Sequence, residues 1–430
     1  MPNPRTPTFL ILIAVVITLF FASSAGAASK YKVLYAFKGG SDGTLPSGAL
    51  AFDTAGNLYG TTFNGGSSGN CLYGQGIGCG IVFQLKPKTT GKWTEHILHV
   101  FQGGSDGGNP NGSPIFDTAG NLYGATVQGG TGSSDGCGTI FQLTPGSSGW
   151  TESLVFTFCS SGGDDGFFPE PGLVQDSAGN IYGMTESGGA GFGGVAFKLT
   201  PGSGQWTESV LNNFCLINAC TSLGAQPVAG LVFDAAGNLY GTTIAGGLTK
   251  FGCFGGFPPG CGVVFKLTPQ RGGWTESVLH DFHGPDGGGP ASNLILDSQG
   301  NLYGTTSYDG AFGFGTVFKL MPALGRWKQS ILYEFRGGSS EGAINMGVVF
   351  DAAGNLYGAS YAGGSCCGVV YKLSPEKNGR WKYSALHTFS GGQDGGTPGG
   401  SLILDKQGNL YGTAGTGGAN GNGVVFEITP

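Results

Sequence analysis

Residues 230–247 read GLVFDAAGNLYGTTIAGG, and after a variable loop residues 261–269 read CGVVFKLTP. The core of this stretch, Asp-x-x-Gly-Asn-(Leu/Ile)-Tyr-Gly, occurs seven times, and successive copies are 54 to 64 residues apart. Periodicity of this length indicates a repeat architecture, so one large repeat domain is favoured over several unrelated domains. The copies begin at Asp53, Asp117, Asp176, Asp234, Asp297, Asp351 and Asp405.

Each copy predicts four short strands. In the fourth copy the apolar runs 231–234 and 238–243 flank Asp-Ala-Ala-Gly-Asn, whose Asp bonds to the turn backbone and whose Gly supplies a positive φ. A Pro-x-x-Gly-type turn joins the third run, 262–268, to the fourth, which opens with Trp274 and ends with Phe282. The chain shows no helical period of useful length, so the prediction is all-β.

Four short antiparallel strands in a unit of this size match a propeller blade. The seventh copy ends with its third strand at Pro430, while residues 31–37 supply a fourth strand that has no copy of its own. Pairing the two termini in one blade removes an open sheet edge that would otherwise invite aggregation. We therefore predict a single seven-bladed β-propeller of four-stranded antiparallel blades, in which residues 31–37 complete the last blade.

The N-terminus predicts export. Arg5 precedes an apolar run over residues 9–22, and Ala25-Gly26-Ala27 places small residues at a cleavage site. The run is too short for a comfortable membrane span, so residues 1–27 are interpreted as a cleaved signal peptide. We expect residues 28–430 to form the propeller in a secreted or periplasmic protein, with no membrane span after cleavage.

Composition limits the classes of partner. Glycine makes up 88 of 430 residues without a Gly-x-y period, which excludes collagen and indicates many tight turns. The net charge of −6 removes the basic footprint that nucleic-acid binding needs. We expect a monomer whose partner is an extracellular glycan or a surface protein.

The recurring LVFDxxGNLYGTT…GG…GVVFKLTP resembles the GloVer tandem repeat of "choice-of-anchor" bacterial exported proteins, and it covers the whole mature chain. A looser likeness is to kelch-type propeller blades, through Gly246-Gly247 and Trp274. The resemblance implies an exported repeat protein and supplies no catalytic residue.

Ten cysteines in an exported chain predict disulfides. A zinc site is disfavoured because the chain contains no Cys-x-x-Cys pair. Cys366 and Cys367 are adjacent and are expected either to form a vicinal bridge or to remain free thiols. The other pairs follow from spacing and loop position: Cys71 with Cys79, Cys253 with Cys261, Cys137 with Cys159 across a hairpin centred on Ser148, and Cys215 with Cys220.

The blade-crossing loops and the loops between second and third strands share one face of a propeller, which is where binding is expected. Crossing-loop acids before glycine are candidates to line the central funnel and attract Ca²⁺, although Asp-Gly is also ordinary turn chemistry. They are Asp42, Asp106, Asp165, Asp286, Glu341 and Asp394. Loop aromatics, among them Phe254 and Tyr308, are candidates to stack on a ligand or to pack on their own loops.

No recognisable catalytic motif stands out from the repeated sequence. A Gly-x-Ser-x-Gly match at residues 65–69 is expected by chance in so glycine-rich a chain, and no His-Glu-x-x-His occurs. The repeated Glu95, Glu152, Glu208 and Glu276 are expected to face solvent. We therefore predict a non-enzymatic binding module, with no cofactor unless Ca²⁺ binds. A hydrolase or lyase acting on extracellular polysaccharide and a structural envelope protein are the alternatives, and an enzyme would need residues that break the repeat.

Overall fold

The computed structural model describes residues 29–66, 71, 77–130, 136–160, 162–215, 223–247, 253, 260–338, 341–364 and 366–430. These residues form antiparallel strands and one short 3₁₀ helix, Gly40–Asp42. Within this part of the chain no helix is long and apolar enough to cross a bilayer. The predicted signal peptide lies outside the described residues.

The strands form seven blades, one for each sequence copy, and neighbouring strands within a copy pair antiparallel. Two short strands of the fourth blade pair with each other as a separate two-stranded sheet. Blade 7 also takes β1 (Lys30–Ala36). Blades 1 and 2 comprise β2 (Thr44–Phe52), β3 (Leu58–Asn64), β4 (Ile81–Pro87) and β5 (Trp93–Val100), then β6 (Gly108–Phe116), β7 (Leu122–Gln128), β8 (Thr139–Gly146) and β9 (Gly149–Thr157). Blade 3 comprises β10 (Phe167–Pro169), β11 (Val174–Gln175), β12 (Ile181–Ser187), β13 (Val195–Pro201) and β14 (Trp206–Asn213).

In blades 3, 4 and 7 the first strand is split in two, and blade 5 keeps only its second half as a strand. Blade 4 comprises β15 (Gly224–Ala225), β16 (Val232–Phe233), β17 (Leu239–Thr243), β18 (Ala245–Gly246), β19 (Val263–Gln270) and β20 (Gly273–Asp281). Blade 5 comprises β21 (Ile295–Leu296), β22 (Leu302–Thr305), β23 (Thr316–Ala323) and β24 (Arg326–Glu334). Blades 6 and 7 comprise β25 (Gly342–Phe350), β26 (Leu356–Gly363), β27 (Val369–Pro375) and β28 (Trp381–Thr388), then β29 (Gly396–Pro398), β30 (Ile403–Leu404), β31 (Leu410–Thr416) and β32 (Val424–Thr429).

The two termini close the ring as predicted. Strand β1 pairs antiparallel with β32, and Lys30 lies opposite Thr429 while Val33 lies opposite Phe426. The last blade therefore has its fourth strand from the N-terminal end of the described chain, and β32 is paired on both sides. A sheet edge that would otherwise be open is covered.

The repeated Asp-x-x-Gly-Asn turn is a structural device. Asp53 Oδ1 accepts hydrogen bonds from the amides of Ala55 and Asn57, both at 2.9 Å, and Oδ2 accepts one from the Tyr59 hydroxyl at 3.0 Å. Gly56 has a φ of 83°, which only glycine adopts at little cost. Burial alone would raise the pKa of Asp53, but the hydrogen bonds from Asn57 and Tyr59 outweigh it and lower the pKa.

Aromatic contacts across the blade boundaries explain the Trp and Phe of each fourth strand. Phe37 at the end of β1 is fully buried and meets Phe83 of blade 1 edge-on, with ring centroids 5.1 Å apart. At the opposite end of a fourth strand, Trp150 lies edge-on to Tyr59 of the preceding blade at 6.1 Å. Such pairs contribute about 0.5–1.5 kcal/mol each beyond area burial, so the ring is held together blade by blade.

Four of the predicted disulfides are present: Cys71–Cys79, Cys137–Cys159, Cys253–Cys261 and Cys366–Cys367. The predicted cross-strand bridge is explained by the register of its hairpin, in which Thr139 lies opposite Thr157. The Cys215–Cys220 prediction falls on Cys220, which lies outside the described residues. Cys366 and Cys367 form the vicinal bridge rather than free thiols.

Candidate functional site at the central funnel

Three sets of equivalent positions surround the propeller axis at the loop-rich face, and together they are called the funnel mouth. The first set stands near the start of each first strand, has left-handed backbone with φ of 52–58°, and comprises Leu45, Asn109, Phe168, Gln226, Gly289, Ile344 and Thr397. The second set lies two residues further along and comprises Ser47, Asn111, Glu170, Val228, Ala291, Met346 and Gly399. The third set lies opposite the first on the second strands and comprises Phe63, Val127, Glu186, Ile244, Ser307, Tyr361 and Gly415.

The funnel mouth is where the seven copies disagree. Each of the three sets contains seven different residue types. Elsewhere in the same copies the positions of Asp53, Tyr59 and Gly60 never change. Residues that repeat in every blade are needed for the blade to fold. A ligand that binds on the axis contacts all seven blades at once and needs a different side chain from each. The variation therefore marks the funnel mouth as the candidate site.

A central cavity of about 200 Å³ continues from the funnel mouth along the axis. First strands approach one another so closely here that a Cβ on Gly48 would lie 2.4 Å from the Cα of Gly112 in the next blade. All seven blades contribute to the cavity wall, with Gly48, Asn111, Glu170, Val228, Ser292, Met346 and Gly400 among the lining residues. A larger groove of about 690 Å³ on the opposite face is lined by Asp53, Trp93 and Tyr411, which belong to the repeat.

Glu170 and Glu186 are the only charged residues of the funnel mouth. Both belong to blade 3, where the Glu170 amide donates to the Met184 carbonyl at 2.9 Å and so places the two glutamates on neighbouring strands. Burial, and secondarily the charge of Glu186, raises the pKa of Glu170 to about 8, and burial raises the pKa of Glu186. At neutral pH Glu170 is a neutral carboxylic acid that can donate one hydrogen bond and accept others.

Exposed apolar side chains lie on the opposite side of the ring. Leu45 of blade 1 and Ile344 and Tyr361 of blade 6 are 37%, 46% and 44% exposed. Blades 6, 7 and 1 face blades 3 and 4 across a seven-fold ring. The funnel mouth therefore offers hydrogen-bonding carboxyl groups on one side and an exposed apolar surface on the other.

Tyr308 packs on its own blade, which is one of the two alternatives expected for the loop aromatics, and its contact with a ligand stays a prediction. Its ring covers Gly289, where a Cβ would come within 2.3 Å of it, and its hydroxyl lies 3.4 Å from the Ile244 carbonyl oxygen. Tyr308 thus fills the space that the other blades give to a side chain of the first set. Phe254 lies outside the described residues.

The crossing-loop acids do not line the funnel, which corrects the expectation for them. Each carboxylate accepts a hydrogen bond from an amide at the start of its own loop; Asp42 accepts from Lys38 at 2.7 Å and Glu341 from Arg336 at 2.8 Å. The acids also meet fourth-strand side chains; the Tyr35 hydroxyl lies 2.7 Å from Asp42. The same arrangement holds for Asp106 with Gln102, Asp165 with Cys159, Asp286 with His283 and Asp394 with Ser390. They stabilise the loops that lead from a fourth strand into the next blade, and they are not among the residues that line the central cavity.

The outer-strand glutamates correct a second expectation. Glu95, Glu152, Glu208 and Glu276 do not simply face solvent, because one carboxyl oxygen of each is buried. Burial first, and then the neighbouring Asp42, raises the pKa of Glu95 to about 8. The Tyr35 hydroxyl lies 3.0 Å from Glu95, so Tyr35, Asp42 and Glu95 link blade 7 to blade 1. Residue spacing could not show that the acid of one blade faces the glutamate of the next.

One group of possible metal ligands occurs among the described residues. The sulfurs of Cys253 and Cys261 and the carboxylate of Asp309 lie within 4.8 Å of one another. The two sulfurs are joined in a disulfide and therefore are not thiolate ligands.

Comparison with known proteins supports the architecture. Residues 69–260 and 253–430 match the model of the Gloeobacter/Verrucomicrobia repeat. No curated protein matches. Among solved structures, the extracellular domain of a one-component system from B. thetaiotaomicron aligns with a TM-score of 0.51 at 10% identity over 92% of this chain and 40% of that one.

Two further solved structures are lactonases by name. A 6-phosphogluconolactonase from Bacteroides uniformis aligns with a TM-score of 0.50 at 13% identity over 77% of this chain and 84% of that one. A gluconolactonase from Xanthomonas campestris aligns at 16% identity over 73% and 84% of the two chains, with a TM-score of 0.41. At these identities the likeness concerns the fold alone.

Proposed function

We propose that this chain, which belongs to the Gloeobacter/Verrucomicrobia repeat family, is an exported, non-enzymatic binding module that takes an extracellular glycan at the funnel mouth. The observation that carries the proposal is the concentration of repeat-breaking residues in the three sets around the axis. The four disulfides support export, since such bonds persist in oxidising compartments.

The two sides of the funnel mouth favour a sugar as ligand. A sugar ring has hydroxyl groups at its edge and an apolar face of C–H groups. Glu170 and Glu186 offer donors and acceptors to hydroxyls, while Tyr361 and Ile344 offer exposed apolar surface. A surface protein is the other class of ligand that an exposed mixed surface of this kind accepts.

Glycan-array binding of the mature chain, with and without Ca²⁺, tests the proposal. We expect a defined glycan hit, and we expect both E170Q and Y361A to weaken it by about tenfold, which corresponds to about 1.4 kcal/mol. E376Q is the matched control, because Glu376 is exposed in a turn between third and fourth strands on the opposite face. The absence of binding in both conditions, or equal binding by all variants, would contradict the proposal.

A polysaccharide hydrolase is the second candidate, and the pair Glu170 and Glu186 is the observation that favours it. A carboxyl group that is neutral at pH 7 beside a second carboxyl group is the arrangement that glycosidases use as general acid and base or nucleophile. Release of reducing sugar from a bound polysaccharide, lost in E170Q and retained in E376Q, would favour this function over binding alone.

A further inference from the structure

Six first-set residues of the funnel mouth are non-glycine residues held in a left-handed conformation. The conformation costs about 1–2 kcal/mol for each residue and persists only where neighbouring structure enforces it. Five of the six are followed by proline, and Ile344 is followed by Asn345. The backbone strain is therefore repeated around the ring, and a common contact should hold it.

Five of the six strained residues, and Gly289 at the equivalent position of blade 5, share a hydrogen bond to the preceding blade. The Phe168 amide donates to the Cys137 carbonyl at 2.9 Å, and the Thr397 amide donates to the Cys367 carbonyl at 2.7 Å. In every case the acceptor lies two residues before a third strand, and it is called the anchor carbonyl. The remaining bonds run from Leu45 to Asn422, from Asn109 to Cys79, from Gln226 to Gly193 and from Gly289 to Cys261.

The anchor position is also the position that the disulfides share. Each of the four described disulfides has one cysteine there: Cys79, Cys137, Cys261 and Cys367. Their partners come from three different places. Cys71 and Cys253 lie in the loop after a second strand, Cys159 follows a fourth strand, and Cys366 is the adjacent residue.

The two anchor positions without cysteine are fixed in other ways. The Asn422 side chain accepts a hydrogen bond from the Thr44 hydroxyl at 3.1 Å and donates one to the Asn420 carbonyl at 3.0 Å. Gly193 is packed so tightly that a Cβ would lie 2.0 Å from the Cys215 carbonyl oxygen. Every anchor carbonyl in these six junctions is thus restrained, by a disulfide, by hydrogen bonds or by close packing.

We infer that the disulfides act as positioning elements for the funnel mouth, because they restrain the carbonyls that hold its left-handed residues. Each cross-link fixes an anchor carbonyl, the carbonyl fixes a left-handed residue of the next blade, and that residue sets where the first strand of the next blade enters the mouth. The cross-links in blades 1, 2, 4 and 6 therefore preorganise the mouth in blades 2, 3, 5 and 7. The inference rests on the proposed function only in treating the mouth as the surface that binds.

Hydrogen exchange of the full mature chain tests the inference without a ligand. In C137S/C159S we expect the Phe168 amide to exchange about tenfold faster than in the parent protein, because opening of its anchor becomes easier. The Leu45 and Gln226 amides, whose anchors carry no cysteine, should keep the parent rate. Unchanged exchange at Phe168 overturns the inference.

A second measurement keeps the test decisive if that variant does not fold. After full reduction with a phosphine, the amides of Asn109, Phe168, Gly289 and Thr397 should exchange faster, while that of Leu45 should not. Equal acceleration at the Leu45 amide would show that the disulfides support the whole ring rather than the mouth, and would overturn the inference. Because neither measurement uses a glycan, an array without hits would bear on the proposed function alone.

Discussion

Replacing Glu95 with glutamine is expected to make the propeller more stable at alkaline pH. In the folded protein the Glu95 carboxyl group is partly buried against Asp42 and Tyr35, and its pKa is raised from 4.5 to about 8. A group whose pKa is raised on folding contributes its full stability below the unfolded pKa. That stability is lost progressively as the pH rises from about 4.5 to about 8, because the unfolded chain releases the proton first.

The size of the effect follows from the pKa shift. At about 1.4 kcal/mol for each pKa unit, the whole shift corresponds to about 5 kcal/mol of folding free energy. Partial exposure with solvent screening reduces this to about 2 kcal/mol. For a chain of 430 residues the unfolding entropy is about 0.9 kcal/mol/K, so the expected change in Tm is about 2 °C.

The assay is differential scanning calorimetry of the parent protein and E95Q between pH 5 and pH 9. An amide can donate to Asp42 as the protonated carboxyl does, so the Tm of E95Q should match the parent at pH 5 and exceed it by about 2 °C at pH 8.5. E376Q should follow the parent at both pH values. A parent Tm that rises between pH 5 and pH 8.5 while E95Q falls below it would refute the reasoning.

Three further outcomes are expected. Y371F should raise the free energy of unfolding, measured by urea titration, by about 1 kcal/mol. The Tyr371 hydroxyl is buried without a hydrogen-bond partner at a position where the other blades have Phe. A loss of stability in Y371F would show that the hydroxyl is satisfied. D234A should lower the free energy of unfolding by about 2–3 kcal/mol, since Asp234 accepts hydrogen bonds from Ala236, Asn238 and Tyr240. An unchanged urea midpoint would contradict this account of the turn. Deleting residues 29–37 should expose the edge of β32 and produce aggregates in size-exclusion chromatography, whereas a stable monomer would show that closure is not needed.

The repeat and its closure were predictable from the sequence because they depend on local chemistry. Asp234, Gly237 and Asn238 make a hairpin turn with atoms only four residues apart, and seven copies of the same turn allow few other architectures. The bridge between Cys137 and Cys159 was predictable for the same reason, since the register of one hairpin places them opposite each other.

The candidate site was decided by tertiary structure, because its residues meet only when seven blades close around one axis. Glu170 and Glu186 are unremarkable in their own loops and stand out only against the equivalent positions of the other copies. Asp42 was expected at the funnel because its loop crosses between blades, but hydrogen bonds from the Lys38 amide and the Tyr35 hydroxyl hold its carboxylate beside the fourth strands. Repetition in a sequence specifies each blade, whereas contact between blades sets which side chains reach the axis and which carboxyl groups are buried.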